Sequence, residues 1–109
     1  MLNKSLILRF PDLQGAQMAA PFLVEGLAMK IDELEIIDLK IIIGKAGEVV
    51  VSSGFKDAKA LKKANVFFAE IVETMKRSFL FRVHAFDAVA VMHLNDEGLE
   101  AKRAQRAAA

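Results

Sequence analysis

Ile41-Ile42-Ile43-Gly44-Lys45-Ala46-Gly47-Glu48-Val49-Val50-Val51 is the stretch on which the fold turns. Two β-branched runs flank a short loop with glycine at each end, and β-branched side chains favour a pleated surface. That pattern predicts a hairpin. The first strand reaches back to Glu35. Along it Ile37, Leu39, Ile41 and Ile43 share one face, while Ile36, Asp38, Lys40 and Ile42 share the other. One face is then wholly apolar and the other mixed. The return strand covers Glu48 to Ser52. Ser52-Ser53-Gly54 is expected to break it and to offer a helix cap.

Upstream of the hairpin, Ser5 to Phe10 alternates, with Leu6, Leu8 and Phe10 on one face, and Pro11 ends the run. Asp12 is placed to cap a helix from about Leu13 to Ile31. Pro21 lies inside that helix and predicts a kink, since a mid-helix proline costs roughly 3 kcal/mol otherwise. The helix is apolar nearly all round, which predicts cover on two sides. Asp32 and Glu33 turn the chain. Downstream, Ala58, Leu61, Ala64, Phe68, Ile71, Val72 and Met75 recur at three- and four-residue steps within a helix from about Lys56 to Lys76. Ser78 to Phe86 reads as a fourth strand. Asp87 then caps a short helix from Ala88 to about Leu94, and residues 95–109 form a charged, alanine-rich tail.

The order is β-α-β-β-α-β, with one short helix after it. Right-handed crossovers put both long helices on the same face of one antiparallel sheet. The fold class is therefore α/β in the broad sense, and α+β with ferredoxin-like topology in the narrow one. Residues 1–94 form one domain, with no internal linker.

Composition sets the outer bounds. The chain has 109 residues, 54% of them apolar, and a mean hydropathy of +0.32. A chain of this length buries only a modest core, so self-assembly is the expected outlet for the excess apolar surface. No run approaches the roughly 18 uncharged residues that span a bilayer, and the N-terminus is too short for a signal peptide. A cytoplasmic location is expected. Net charge is +1, Trp and Tyr are absent, and all eight aromatics are Phe. That balance argues against nucleic acid as a partner. With no cysteine, disulfides, thiolate nucleophiles and cysteine-ligated metals are excluded.

Few residues suggest chemistry. His84 and His93 stand nine positions apart and do not make a metal site; neither a metal nor another cofactor is expected. Asp32, Glu33, Glu35 and Asp38 read as a solvated turn and strand edge, and Ser52 and Ser53 lack the elbow and base of a nucleophile. No catalytic residue is assigned. Gly44-Lys45-Ala46-Gly47 is too short for a phosphate loop. It is either a plain hairpin turn or a small-residue loop around which several copies meet, with Lys45 facing the axis.

The order of elements, the Leu27-Ala28-Met29-Lys30-Ile31-Asp32-Glu33-Leu34 segment, the glycine-bounded loop, and Ser53-Gly54-Phe55-Lys56-Asp57-Ala58-Lys59-Ala60-Leu61 together resemble bacterial microcompartment shell proteins, the BMC-domain family. The resemblance spans about Ser5 to Leu94. It implies a cyclic homo-hexamer that tiles the shell edge to edge with other shell proteins around encapsulated enzymes. Gly44, Lys45, Ala46 and Gly47 would then form a pore loop that passes small metabolites, and Lys30 would sit at the hexamer edge. On this reading the protein is structural and not an enzyme. The alternative is a small-molecule-binding regulatory module of ferredoxin-like topology, a dimer or trimer. A small isomerase or monooxygenase-like enzyme of the same topology would need His84 or a carboxylate to converge in a cleft.

Overall fold

The computed structural model describes residues 1–89, 101 and 103–106. The chain order is β1 (Leu2–Arg9), α1 (Leu13–Ala28), β2 (Ile36–Ile43), β3 (Glu48–Phe55), α2 (Ala58–Met75) and β4 (Arg82–Val89). The sheet runs β2-β3-β1-β4, antiparallel throughout. Both helices lie on one face, α1 over β2 and β3, and α2 over β1 and β3. This is the ferredoxin-like α+β fold that the alternation of periods implied.

Several boundaries differ from expectation, each for a local reason. β1 starts at Leu2, because it pairs with β3 on one side and β4 on the other along its whole length. β3 does not break at Ser52-Ser53-Gly54. Ser53 is buried and its hydroxyl donates to the Lys4 carbonyl at 3.3 Å, so a polar residue is accommodated inside the strand. The cap of α2 is Asp57, whose Oδ1 accepts from the Ala60 amide at 2.9 Å. Asp12 caps α1 as expected, accepting from Gly15 at 2.8 Å. The first helix runs as one element through Pro21 and ends at Ala28, short of Ile31. A register shift between Ile36 and Asp38 sends Ile37 outward, 59% exposed, and buries Ile36. Asp87 and Ala88 belong to β4 rather than to a helix cap and helix; the rest of the expected short helix, His93 and most of the tail lie outside the described residues.

Strand register sorts the side chains into rows. On the helix-covered face the rows are Ile43–Val49–Leu8–Val83, Ile41–Val51–Leu6–Ala85, Leu39–Ser53–Lys4–Asp87 and Ile36–Phe55–Leu2–Val89. With Leu23, Leu27, Ala64, Phe68 and Met75 from the helices, the apolar rows make the core. Three of the four rows are purely apolar. The third carries a serine, a lysine and an aspartate.

Candidate functional site

Lys4 belongs to the same strand phase as Leu6 and Leu8, so its side chain enters the helix-covered layer, where it is only 11% exposed. Burying an ammonium is costly unless it is paired. Asp87, its register partner on β4, takes that role: Lys4 Nζ donates to Asp87 Oδ1 at 3.3 Å. The ammonium also lies 5.9 Å from the centroid of the buried Phe68 ring, a favourable placement for a cation over a π face.

From above, α2 lowers Asn65 onto the same carboxylate. Asn65 Nδ2 donates to Asp87 Oδ2 at 3.1 Å. Since Asp87 can only accept when ionised, the NH₂ end of the amide must face it. The carbonyl end is thereby fixed, and Asn65 Oδ1 is buried with no hydrogen-bond partner among the described residues. An orphaned buried acceptor costs about 1–3 kcal/mol. A ligand donor that reached the atom, with the side chains over it moved aside, would remove that cost. Along β4, the neighbouring core-phase residues Val83, Ala85 and Val89 are exposed, as is Asp87. The described helices cover β1, β2 and β3. The site is thus a polar row flanked by small and apolar side chains: one cation, one bridging carboxylate and one buried amide oxygen that is unpaired among the described residues.

The residues singled out from sequence lie elsewhere. Gly44-Lys45-Ala46-Gly47 forms the β2–β3 hairpin turn, closed by Gly44 N–H to the Glu48 carbonyl at 2.7 Å and Gly47 N–H to the Gly44 carbonyl at 3.1 Å. The Gly47 carbonyl accepts from the Phe10 amide at 2.9 Å, so the turn is seated on the β1–α1 corner. Lys45 and Ala46 are exposed. Lys30 pairs with Glu33 at 2.8 Å. That hydrogen bond, with the charge of Lys30 and a smaller contribution from Lys63, holds the Glu33 carboxyl below the usual carboxylate range. A depressed carboxyl stabilises the fold at neutral pH and loses that contribution as pH falls through its folded value. His84 lies on the opposite face of the sheet from the polar row. Among the described residues no three His, Cys, Asp or Glu side chains are grouped as metal ligands. No described helix is long and apolar enough to cross a membrane.

No family model and no curated protein sequence matches the chain. Solved structures do. A dimeric ferredoxin-like protein from an uncultured marine organism is 15% identical, with a TM-score of 0.67 over 87% of this chain and 99% of that one. A putative antibiotic biosynthesis monooxygenase from Deinococcus radiodurans is 11% identical, with a TM-score of 0.65 over 87% and 99%. SnoaB, a cofactor-independent oxygenase from Streptomyces nogalater, is 12% identical, with a TM-score of 0.64 over 86% and 98%. These likenesses establish a shared ferredoxin-like fold.

They also correct the functional expectation drawn from the hairpin and Lys30. The similar structures are ferredoxin-like proteins and monooxygenases, not BMC-domain shell proteins. The shell tile, its microcompartment location, its pore and its encapsulated partners are set aside. So is the homo-hexamer, since the first of these structures is described as dimeric. The expectation of a purely structural, non-enzymatic protein falls with them, because two of the three are named as oxygenases. The local motifs misled because a glycine-bounded hairpin and a lysine after a helix are local features that do not by themselves define a function.

Proposed function

We propose that this chain binds a small, flat organic molecule with an acidic hydroxyl along the Ser53–Lys4–Asp87 row, and acts on it as an oxygenase that needs no bound redox cofactor. The observation that carries the reading is the buried Asn65 Oδ1, unpaired among the described residues, on a side chain that shares Asp87 with the largely buried Lys4 ammonium. The substrate hydroxyl donates to Asn65 Oδ1. Lys4, held by Asp87, stabilises the negative charge that develops when the hydroxyl ionises. Val83 and Ala85 supply an apolar flank for a ring. The oxygenase half of the proposal rests on fold-level likeness to a cofactor-independent oxygenase. In such chemistry the electrons for dioxygen come from the substrate, and the protein binds, orients and stabilises its anion.

The test uses 1-naphthol. The chain lacks Trp and Tyr, so naphthol fluorescence anisotropy reads binding without protein background. The wild type is expected to bind saturably. Asn65→Leu and Lys4→Met are each expected to weaken binding about tenfold, the value of one hydrogen bond to a charged or developing-charge group. Unchanged affinity in both variants would sink the site. Binding without oxygen uptake at an electrode, across a panel of phenols, would keep the site and favour a regulatory binding module.

A second copy is the proposed cover for the other face of the sheet. There, one row reads Ile42–Val50–Ile7–His84 and the next ends in Phe86. Ile42 and Phe86 are 47% and 46% exposed, with no described helix over them. The dimeric description of a similar structure supports a dimer. Ile7→Asp is expected to turn a dimer into a monomer by light scattering. A wild-type mass near six chains would contradict the dimer.

A further inference from the structure

On the uncovered face of the sheet, register places Arg9 of β1 directly opposite Arg82 of β4. Like charges facing each other across a strand pair destabilise it. The neighbour that could neutralise them is Glu48, the register partner of Arg9 on β3. Its carboxylate is instead folded against Gly44, where an added Cβ would lie 2.9 Å from Oε2, and its Oε1 is buried without a partner among the described residues. Among the described residues neither arginine has an ion pair. Two exposed guanidinium groups therefore stand side by side with their donors free for an oxyanion.

The space beside them is shaped for more than an inorganic ion. Where β1 ends and β4 begins, a cavity of about 480 Å³ is lined by Arg9, Phe10, Pro11, Leu80, Phe81 and Arg82. The Phe10 and Phe81 rings lie 5.2 Å apart with an interplanar angle of 36°, and Leu80 is 80% exposed. A second cavity of about 360 Å³ continues from the same two arginines past Val83 to His84. Arginine presents planar, paired donors that match carboxylates and phosphates. An apolar wall next to such a fork suits a ligand whose anionic end is joined to a ring or short hydrocarbon.

We propose that Arg9 and Arg82 form an oxyanion fork for a small organic acid, whose apolar body rests on Pro11, Leu80 and Phe81. This site lies on the opposite face of the sheet from the Ser53–Lys4–Asp87 row, so it is independent of the ligand site proposed above, while it shares the open face proposed to meet a second copy. Calorimetric titration of the full chain with benzoate, and with the isosteric neutral amide benzamide, tests it. Benzoate is expected to bind saturably, and benzamide at least about tenfold more weakly, because only the carboxylate makes charge-assisted bonds to both guanidinium groups. Arg82→Gln and Arg9→Gln are each expected to cost benzoate about tenfold or more, with the exposed Lys45→Gln unchanged. Both arginines are exposed, so these variants fold. Equal affinity for benzamide, or benzoate affinity that follows Lys45 rather than the arginines, would overturn the proposal. So would arginine variants that change the oligomeric mass and leave benzoate binding intact; the fork would then serve an acidic group of a second copy.

Discussion

Phe68→Ala is expected to lower stability by about 3–5 kcal/mol, the usual cost of removing a buried aromatic ring. Phe68 is 1% exposed and sits in α2 above the sheet. Its ring packs edge-on near Phe67, with centroids 6.2 Å apart, and forms the wall beside the Lys4 ammonium. A domain of this size is stable by only about 5–15 kcal/mol, so the variant forfeits a large share of the total. Phe68→Leu keeps most of the volume and is expected to lose much less. Urea denaturation measures both. An alanine variant within about 1 kcal/mol of wild type would mean that α2 does not rest on β1 and β3 in the way described.

Gly47→Ala is the second large effect, about 2–6 kcal/mol from two sources that act together. Gly47 has φ of +99°, a region L-residues adopt only with strain; that strain costs about 1–3 kcal/mol. An added Cβ would also lie 2.7 Å from the Asp12 carbonyl oxygen and 2.9 Å from the Phe10 carbonyl oxygen. Both are backbone atoms of the β1–α1 corner and cannot swing aside, and overpacking of this kind adds about 1–3 kcal/mol. Gly44→Ala is the matched control. Its Cβ meets only the Glu48 carboxylate, a flexible side chain that can turn away, so its loss is expected to stay under about 1 kcal/mol. Thermal melts of the two variants decide the matter. Equal losses would contradict the seating of the hairpin turn on the corner.

Periodicity carried the fold. Alternation in Leu6, Leu8 and Phe10 and the three- and four-residue steps from Ala58 to Met75 state a helix layer on a sheet, whatever the ends do. Boundaries failed where a polar residue had a long-range partner. Ser53 looked like a strand break because its acceptor, the Lys4 carbonyl, is 49 residues away in sequence. The polar row escaped notice for the same reason. Lys4 and Asp87 are 83 residues apart, and Asn65 is 22 from Asp87; only the β1–β4 register brings them together. A signal was nonetheless present. Lys4 falls in the phase of Leu6 and Leu8, and Asp87 in the phase of Val83 and Ala85, so both are charges written into a core-facing period. The high apolar content shows in the structure as large exposed apolar side chains. Part of that surface is the open sheet face, and part is the outer side of α1, where Met18 and Phe22 are 65% and 42% exposed.

Methyl chemical-shift mapping of the full chain with 1-naphthol tests the central claim most directly. The apolar groove between α1 and α2, about 430 Å³ with Phe22, Met29, Phe67 and Ile71 in its lining, offers a competing position, so location as well as affinity is at issue. Shifts are expected to concentrate on Val83, Ala85 and Ala64, around the Lys4–Asp87–Asn65 cluster, and to vanish in Asn65→Leu. Shifts confined to Met29 and Ile71, and unaffected by Asn65→Leu, would show that the helix groove is the ligand site and that the polar row only holds β4 to α2.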